Sequence, residues 1–221
     1  MGSLILSNVV IDFFDKEVIA LLNKYGYKAT FNLNSGLQDF TWFFHDKIPI
    51  TRLNLEENKL LYDGHDIASH SLTHPFLDQC DDERVAYEVG HDIYQLEQIF
   101  GREVAGFATP FQTCGEREVN IIKRWTKAKY IRLSQIDESF KFPNDLYHFK
   151  CTCFTIDRAL ELIDCFIKDE EAELFVSVFH SYDLFTTTSI DKFEELLKIL
   201  SQHRDSIEVM TFKELLETIS L

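Results

Sequence analysis

Short apolar runs alternate with segments of helical period along the whole chain, and this alternation limits the fold more than any other feature. Candidate strands fall at residues 4–10 and 27–33, around Ile67 and Ala68, and at 104–107, 130–133, 174–179 and 207–210. Between them apolar side chains recur three and four apart, as Val18, Leu21 and Leu22 do in one segment and Val85, Val89, Ile93 and Leu96 in a longer one. Strands alternating with helices predict parallel pairing through right-handed crossovers, with helices covering the sheet. Gly26 and Gly101 follow two of these helices, at the position where a left-handed C-cap favours glycine. Asn54, with Glu57 three residues on, and Asp82 are the predicted N-terminal caps of helices at 55–61 and 83–100. About seven strands, with no internal repeat and no low-complexity linker, fit one α/β domain over residues 1–221.

The formal net charge of -15 disfavours nonspecific attraction to nucleic acid or to an anionic lipid surface, and makes an anionic polymer a poor electrostatic match. A total does not describe a groove, so a local basic site stays open. The five cysteines form no paired framework, which fits a reducing compartment, and Cys151-Thr-Cys153 is too close for a zinc ribbon and reads as two core thiols. No run approaches a membrane span, and the start lacks a basic leader and a cleavage site, so the chain as it stands reads as cytoplasmic. None of these patterns encodes an oligomeric state.

Chemistry concentrates in residues 64–77, GHDIASHSLTHPFL. His70 and His74 are four apart, so one helical turn or a tight loop would aim both imidazoles at one point. Two neutral imidazoles suit a borderline metal such as zinc, which normally takes a third protein ligand and leaves one position for water. Two half-buried histidines around a loop would read the same way. Ile67 and Ala68 place the pair just beyond a strand's carboxyl end, where ligand sites of α/β folds lie. His180 follows the strand at 174–179 in the same manner, as either a proton donor or a strand-end hydrogen-bonding group. Phe40, Trp42, Phe43 and Phe44 make an aromatic stretch that either faces a sugar or folds onto the core.

The words around these histidines resemble the motifs of the polysaccharide deacetylases, the NodB-like carbohydrate esterases of family four. His65, Asp66 and Ile67 match the opening of the family's histidine motif, and His70, Ser71, His74 and Pro75 match its core. The run Ala29-Thr30-Phe31 looks like the family's second strand, and Thr109-Pro110-Phe111 like its third motif, with Ala108 where an arginine belongs. The resemblance implies a distorted (β/α)7 barrel of the NodB-homology type. It implies His70 and His74 as ligands of a divalent metal, zinc by preference, with His65 and Asp66 in supporting roles. His180 would be the general acid, and the Phe111 N–H would stabilise an oxyanion. The reaction would be hydrolysis of a carbon–nitrogen bond, the acetamide of an N-acetylated glycan, and relatives of this kind are often exported.

The first motif departs from that pattern. Where the family has paired aspartates and a glycine, this chain has Val9, Val10 and Ile11, and valine neither binds a metal nor accepts a proton. Asp12 is the nearest carboxylate. It either completes a His-His-Asp set, as ligand and base, or caps the first helix with Asp15 in that helix's first turn. Two classes of function follow: a deacetylase-like hydrolase with weak or absent turnover, or an inactive glycan-binding or structural pseudoenzyme.

Overall fold

The structure, a computed structural model, describes residues 2–9 and 12–219. Val10 and Ile11, two of the three departures in the first motif, lie outside the described residues. In chain order, β1 (Gly2–Val9), α1 (Asp15–Tyr25) and β2 (Thr30–Leu33) form the first crossover unit. A hairpin, β3 (Thr41–Phe44) with β4 (Ile48–Thr51), and the short α2 (Leu55–Asn58) come next. The rhythm continues through β5 (Asp66–Ser69), α3 (Asp82–Phe100), β6 (Gly106–Ala108), α4 (Glu116–Trp125), β7 (Tyr130–Ile136) and β8 (Phe149–Cys151). It ends with α5 (Ile156–Lys168), β9 (Leu174–Phe179), α6 (Asp183–Thr186), α7 (Ile190–Gln202), β10 (Ile207–Met210) and α8 (Phe212–Ile219).

All strands except the hairpin pair in parallel, running β1, β2, β5, β6, β7, β8 around the sheet, with β9 on the other edge of β1. Just past β8, Cys153 bridges to Ser177 of β9, and the Val178 N–H donates to the Cys153 carbonyl at 2.9 Å. These bonds nearly close a seven-stranded barrel, the distorted (β/α)7 form. β10 lies outside the seven, pairing with the amino half of β1 on the edge that β2 takes higher up.

Side-chain alternation along the strands sorts two apolar layers. Leu4, Leu6, Phe31, Ile67, Phe107, Phe175 and Phe179 face outward into a shell with Val18, Leu22, Val89, Ile93, Leu96 and Leu197 of the helices. Ile5, Val9, Ala68, Val176 and Val178 face the lumen, whose amino end is filled by Tyr130, Phe149 and Phe212. The filled end leaves the strands' carboxyl ends as the open face.

Several local expectations change. Trp42, Phe43 and Phe44 of the aromatic stretch lie on β3 of the hairpin, and Pro49 sits within β4, an edge strand that tolerates the missing N–H. The segment after β7 leads into β8, a three-residue strand too short to carry a period and absent from the predicted strands. The cap of α3 is Asp81, one residue earlier than expected, its carboxylate accepting from the Arg84 N–H at 2.8 Å. Asn54 does cap α2 through the Glu57 N–H, and Gly26 and Gly101 adopt φ of 69° and 63°. Among the described residues no helix is long and apolar enough to cross a membrane.

Candidate functional site

Beyond Ser69 the chain turns in a loop that is tied from several sides rather than continuing as a helix. The Asn34 amide donates to the His70 and Ser71 carbonyls at 2.5 and 2.7 Å, and the His70 N–H donates to the Leu33 carbonyl at 2.8 Å. Ser69 donates to Asp92 at 2.6 Å, while the Thr73 N–H and hydroxyl donate to Glu88 at 2.8 and 2.7 Å. These bonds hold Ser71 and His74 at φ of 65° and 55°, left-handed positions that cost free energy in a residue with a Cβ. The result is a pair of imidazoles with centroids 4.7 Å apart.

His70 donates from Nδ1 to the Ala108 carbonyl at 2.8 Å, which leaves the lone pair on Nε2. Burial drives its pKa well below the usual value, with the His74, Arg132 and Arg52 charges adding to the effect. Burial and then Arg52 lower His74 to about 4. His74 also meets the Phe111 ring edge-on at 4.5 Å, and Phe111, held at φ 52°, stacks on Phe76 at 4.2 Å. From the end of β9, His180 shares its Nδ1 with Asp183 at 2.9 Å and lies against the Tyr182 ring.

One cleft of about 700 Å³ at the carboxyl ends of the strands gathers His70, His74, His180 and Phe111. Val9, Phe40, Trp42, Phe154 and Tyr182 supply its apolar walls, and Thr109 and Ser134 its small hydroxyls. Asp12 is not among the lining residues. Its Oδ1 accepts from the Phe14 N–H at 2.8 Å and its Oδ2 from the Tyr182 N–H at 3.2 Å. Burial, followed by the Asp15 carboxylate, raises its pKa. Asp15 in turn takes hydrogen bonds from Tyr62 and Asn8, each at 2.7 Å, and from Ser181. Among the described residues no group of three or more His, Cys, Asp and Glu side chains converges to hold a metal.

Two cationic lining residues, Arg52 and Arg132, went unread in the sequence. Arg52, 6% exposed, donates from Nη1 to the Asn34 side chain, and its Nε has no hydrogen-bond partner among the described residues. Arg132, 0% exposed, donates from Nη1 to Ser134 at 3.1 Å, and among the described residues its Nε and Nη2 have no hydrogen-bond partner. A guanidinium therefore stands in the cleft although Ala108 occupies the third-motif arginine position, and it arrives from the adjacent strand. An arginine inside the apolar run of β7 was a usable signal; nothing local marks Arg52. His65 and Asp66 lie at the amino end of β5, away from the cleft, where Asp66 accepts from Thr30 at 3.0 Å. Asp137 and Glu138 pair on the surface with Lys150 and Arg158.

A family model described as polysaccharide deacetylase matches residues 10–129, more than half of the chain. The chain belongs to the polysaccharide deacetylase family. A comparison with curated proteins finds no match. Among solved structures, this deacetylase-family chain is similar to a CE4 family pseudoenzyme from Bacillus anthracis, at 16% identity and a TM-score of 0.63 over 97% of this chain and 65% of that one. The chain thus spans just under two thirds of that protein. A mutant of the same pseudoenzyme with restored enzymatic activity superposes at a TM-score of 0.62, with 16% identity over 97% of this chain and 66% of that one. A family 4 acetyl xylan esterase from Clostridium thermocellum, in complex with a cobalt ion, gives 0.61 at 13% identity over 100% of this chain and 93% of that one. At these identities the likeness to solved structures is one of fold.

Proposed function

We propose that this chain is a glycan-binding pseudoenzyme of the polysaccharide deacetylase family, without deacetylase turnover. The observation that carries the reading is Val9 on the cleft wall at the end of β1, with the carboxylate of Asp12 committed to two backbone N–H groups instead. Amide hydrolysis needs a group to take the proton of the attacking water, and positioned base catalysis contributes roughly 10²–10⁴-fold. Valine supplies no such base, and burial together with the neighbouring cations makes His70 and His74 weak proton acceptors.

The residues present do not fit the divalent metal that the family implies. Zinc wants a third protein ligand and a site whose charges balance its own. Here the two imidazoles share the cleft with two guanidinium groups, no acidic side chain among the described residues lines it, and like charge opposes a bound dication. His70, His74 and His180 then serve as hydrogen-bonding groups for sugar hydroxyls. Phe40, Trp42, Phe111 and Tyr182 offer faces for the apolar side of a sugar ring.

The test is amine release from N-acetylglucosamine oligomers by purified protein with added zinc or cobalt. The parent is expected to give none above background, and the double variant Val9→Asp, Val10→Asp a measurable gain. Parent turnover that survives repurification and vanishes in His70→Ala would overturn the reading. The restored mutant of the Bacillus anthracis pseudoenzyme is the precedent for seeking such a gain.

A further inference from the structure

The net charge of -15 makes the composition of the cleft unexpected. Among the described residues its lining holds Arg52, Arg132 and three histidines, and no aspartate or glutamate. Both arginines are more than nine-tenths buried, and both line the same cleft as His70. Among the described residues neither forms an ion pair with a carboxylate; their side-chain partners are the neutral groups Asn34, Ser134 and the Cys151 thiol. Three guanidinium nitrogens, Arg52 Nε and Arg132 Nε and Nη2, have no hydrogen-bond partner among the described residues. Arg132 is further fixed by the Phe154 ring, 6.0 Å from its guanidinium carbon.

A guanidinium cannot shed its charge as a buried lysine does, and a buried charge left uncompensated is strongly unfavourable. Asp12 and Asp15 act on the Arg52 charge without a direct ion pair, so they leave its N–H donors free, and the group that two such guanidinium groups match is an anion with planar oxygens able to take paired N–H donors. We infer that the cleft recognises an acidic saccharide, whose carboxylate sits between Arg52 and Arg132 while its ring lies against Trp42 and Phe111. The inference rests on the glycan-binding reading and specifies the charge class of the glycan. The general negative charge of the chain then slows encounter with acidic polymers, while the cleft retains a short acidic unit once it arrives.

The experiment is calorimetric titration of the full chain with trigalacturonate, its trimethyl ester, an N-acetylglucosamine trimer and inorganic phosphate. Trigalacturonate is expected to bind on the order of tenfold or more tighter than its ester, the gap closing in Arg132→Gln and Arg52→Gln. Equal affinity for acid and ester, with no effect of either substitution, overturns the charge class and leaves the glycan reading standing. Binding of phosphate without any saccharide overturns both, since the arginines then hold a free anion. No binding by any of the four also overturns both. A readout independent of ligand is the melting temperature of Arg132→Met, which is expected to rise by several degrees because an uncompensated buried charge is replaced by a side chain of similar volume. A fall in that melting temperature means that Arg132 is a structural residue and overturns its assignment to ligand.

Discussion

His65 and Asp66 are neighbours at the start of β5, and their protons couple to folding with opposite signs. Burial, then the charges of Arg102 and Lys28, lower His65 from 6.5 to about 4, and the Ala29 N–H donates to its Nδ1 at 3.3 Å. The unfolded chain binds that proton more readily, so this contribution to stability is complete above pH 6.5 and is lost as pH falls toward 4. Burial raises Asp66 from 3.8 to about 6, so its folded form holds the proton and its contribution is lost as pH rises from 3.8 to 6. Each linkage amounts to at most about 3 kcal/mol, and in the shared window they nearly cancel. Relative to the parent, Asp66→Asn is expected to make stability fall more steeply on acidification from pH 6.5 to 4, and His65→Phe to make it fall less steeply or rise. Urea unfolding across that range reads the slopes; His65→Phe also costs about 1–3 kcal/mol at every pH because the Ala29 N–H loses its acceptor. Identical slopes in all three proteins would mean that neither group titrates differently on folding.

At the level of elements, the loop after β5 depends on a side chain from the end of β2. Asn34 satisfies two buried carbonyls, of His70 and Ser71, and accepts from Arg52 as well. Backbone groups in a non-helical loop have no ladder to join, so a side chain that replaces the missing ladder also sets the loop's path. Asn34→Ala leaves these partners unsatisfied and is expected to cost about 2 kcal/mol, a fall of roughly 4–8 °C in melting temperature. The same substitution frees Arg52 and tilts the imidazole pair, so retained oligosaccharide affinity alongside an unchanged melting temperature would show the loop to be held by Glu88 and Asp92 alone. The hairpin β3–β4 has a related role. It carries Trp42 onto Tyr182 with ring centroids 5.3 Å apart, and it anchors Arg52, whose N–H donates to the Phe40 carbonyl at 3.0 Å.

For the molecule as a whole, one end of the barrel is packed and the other is left for the cleft. Tyr130 at the start of β7 stacks on Phe212 with centroids 4.6 Å apart, and its ring lies directly over Gly106 of β6. A Cβ at Gly106 would overlap that ring, which is 1% exposed and has no space to withdraw into. Gly106→Ala is expected to destabilise by about 1–3 kcal/mol. In protein that remains folded, ligand affinity at the opposite end should be unchanged. Thermal denaturation and titration of the same sample check both parts, and a loss of affinity without loss of stability would refute the separation of the two ends.

Much of this was legible in the residues themselves. Strand and helix periods are local properties, so the α/β alternation, the helix ends at Gly26 and Gly101 and the position of His70 beyond a strand could be read directly. The absence of a carboxylate at Val9 is likewise a matter of side-chain chemistry and needs no coordinates. The hairpin, the short β8 and the direction of Asp12 were not legible, because each depends on partners distant in the chain: Asp12 is turned by the Tyr182 N–H, 170 residues away. Arg52 and Arg132 show the same limit most clearly. A charged side chain in sequence is presumed solvated, and only the closing of β7 against β6 and of the hairpin over the barrel mouth buries these two together. Composition determined the net charge of -15, but the sign of the potential inside the cleft was decided by tertiary packing, since burial selects which few charges a ligand meets.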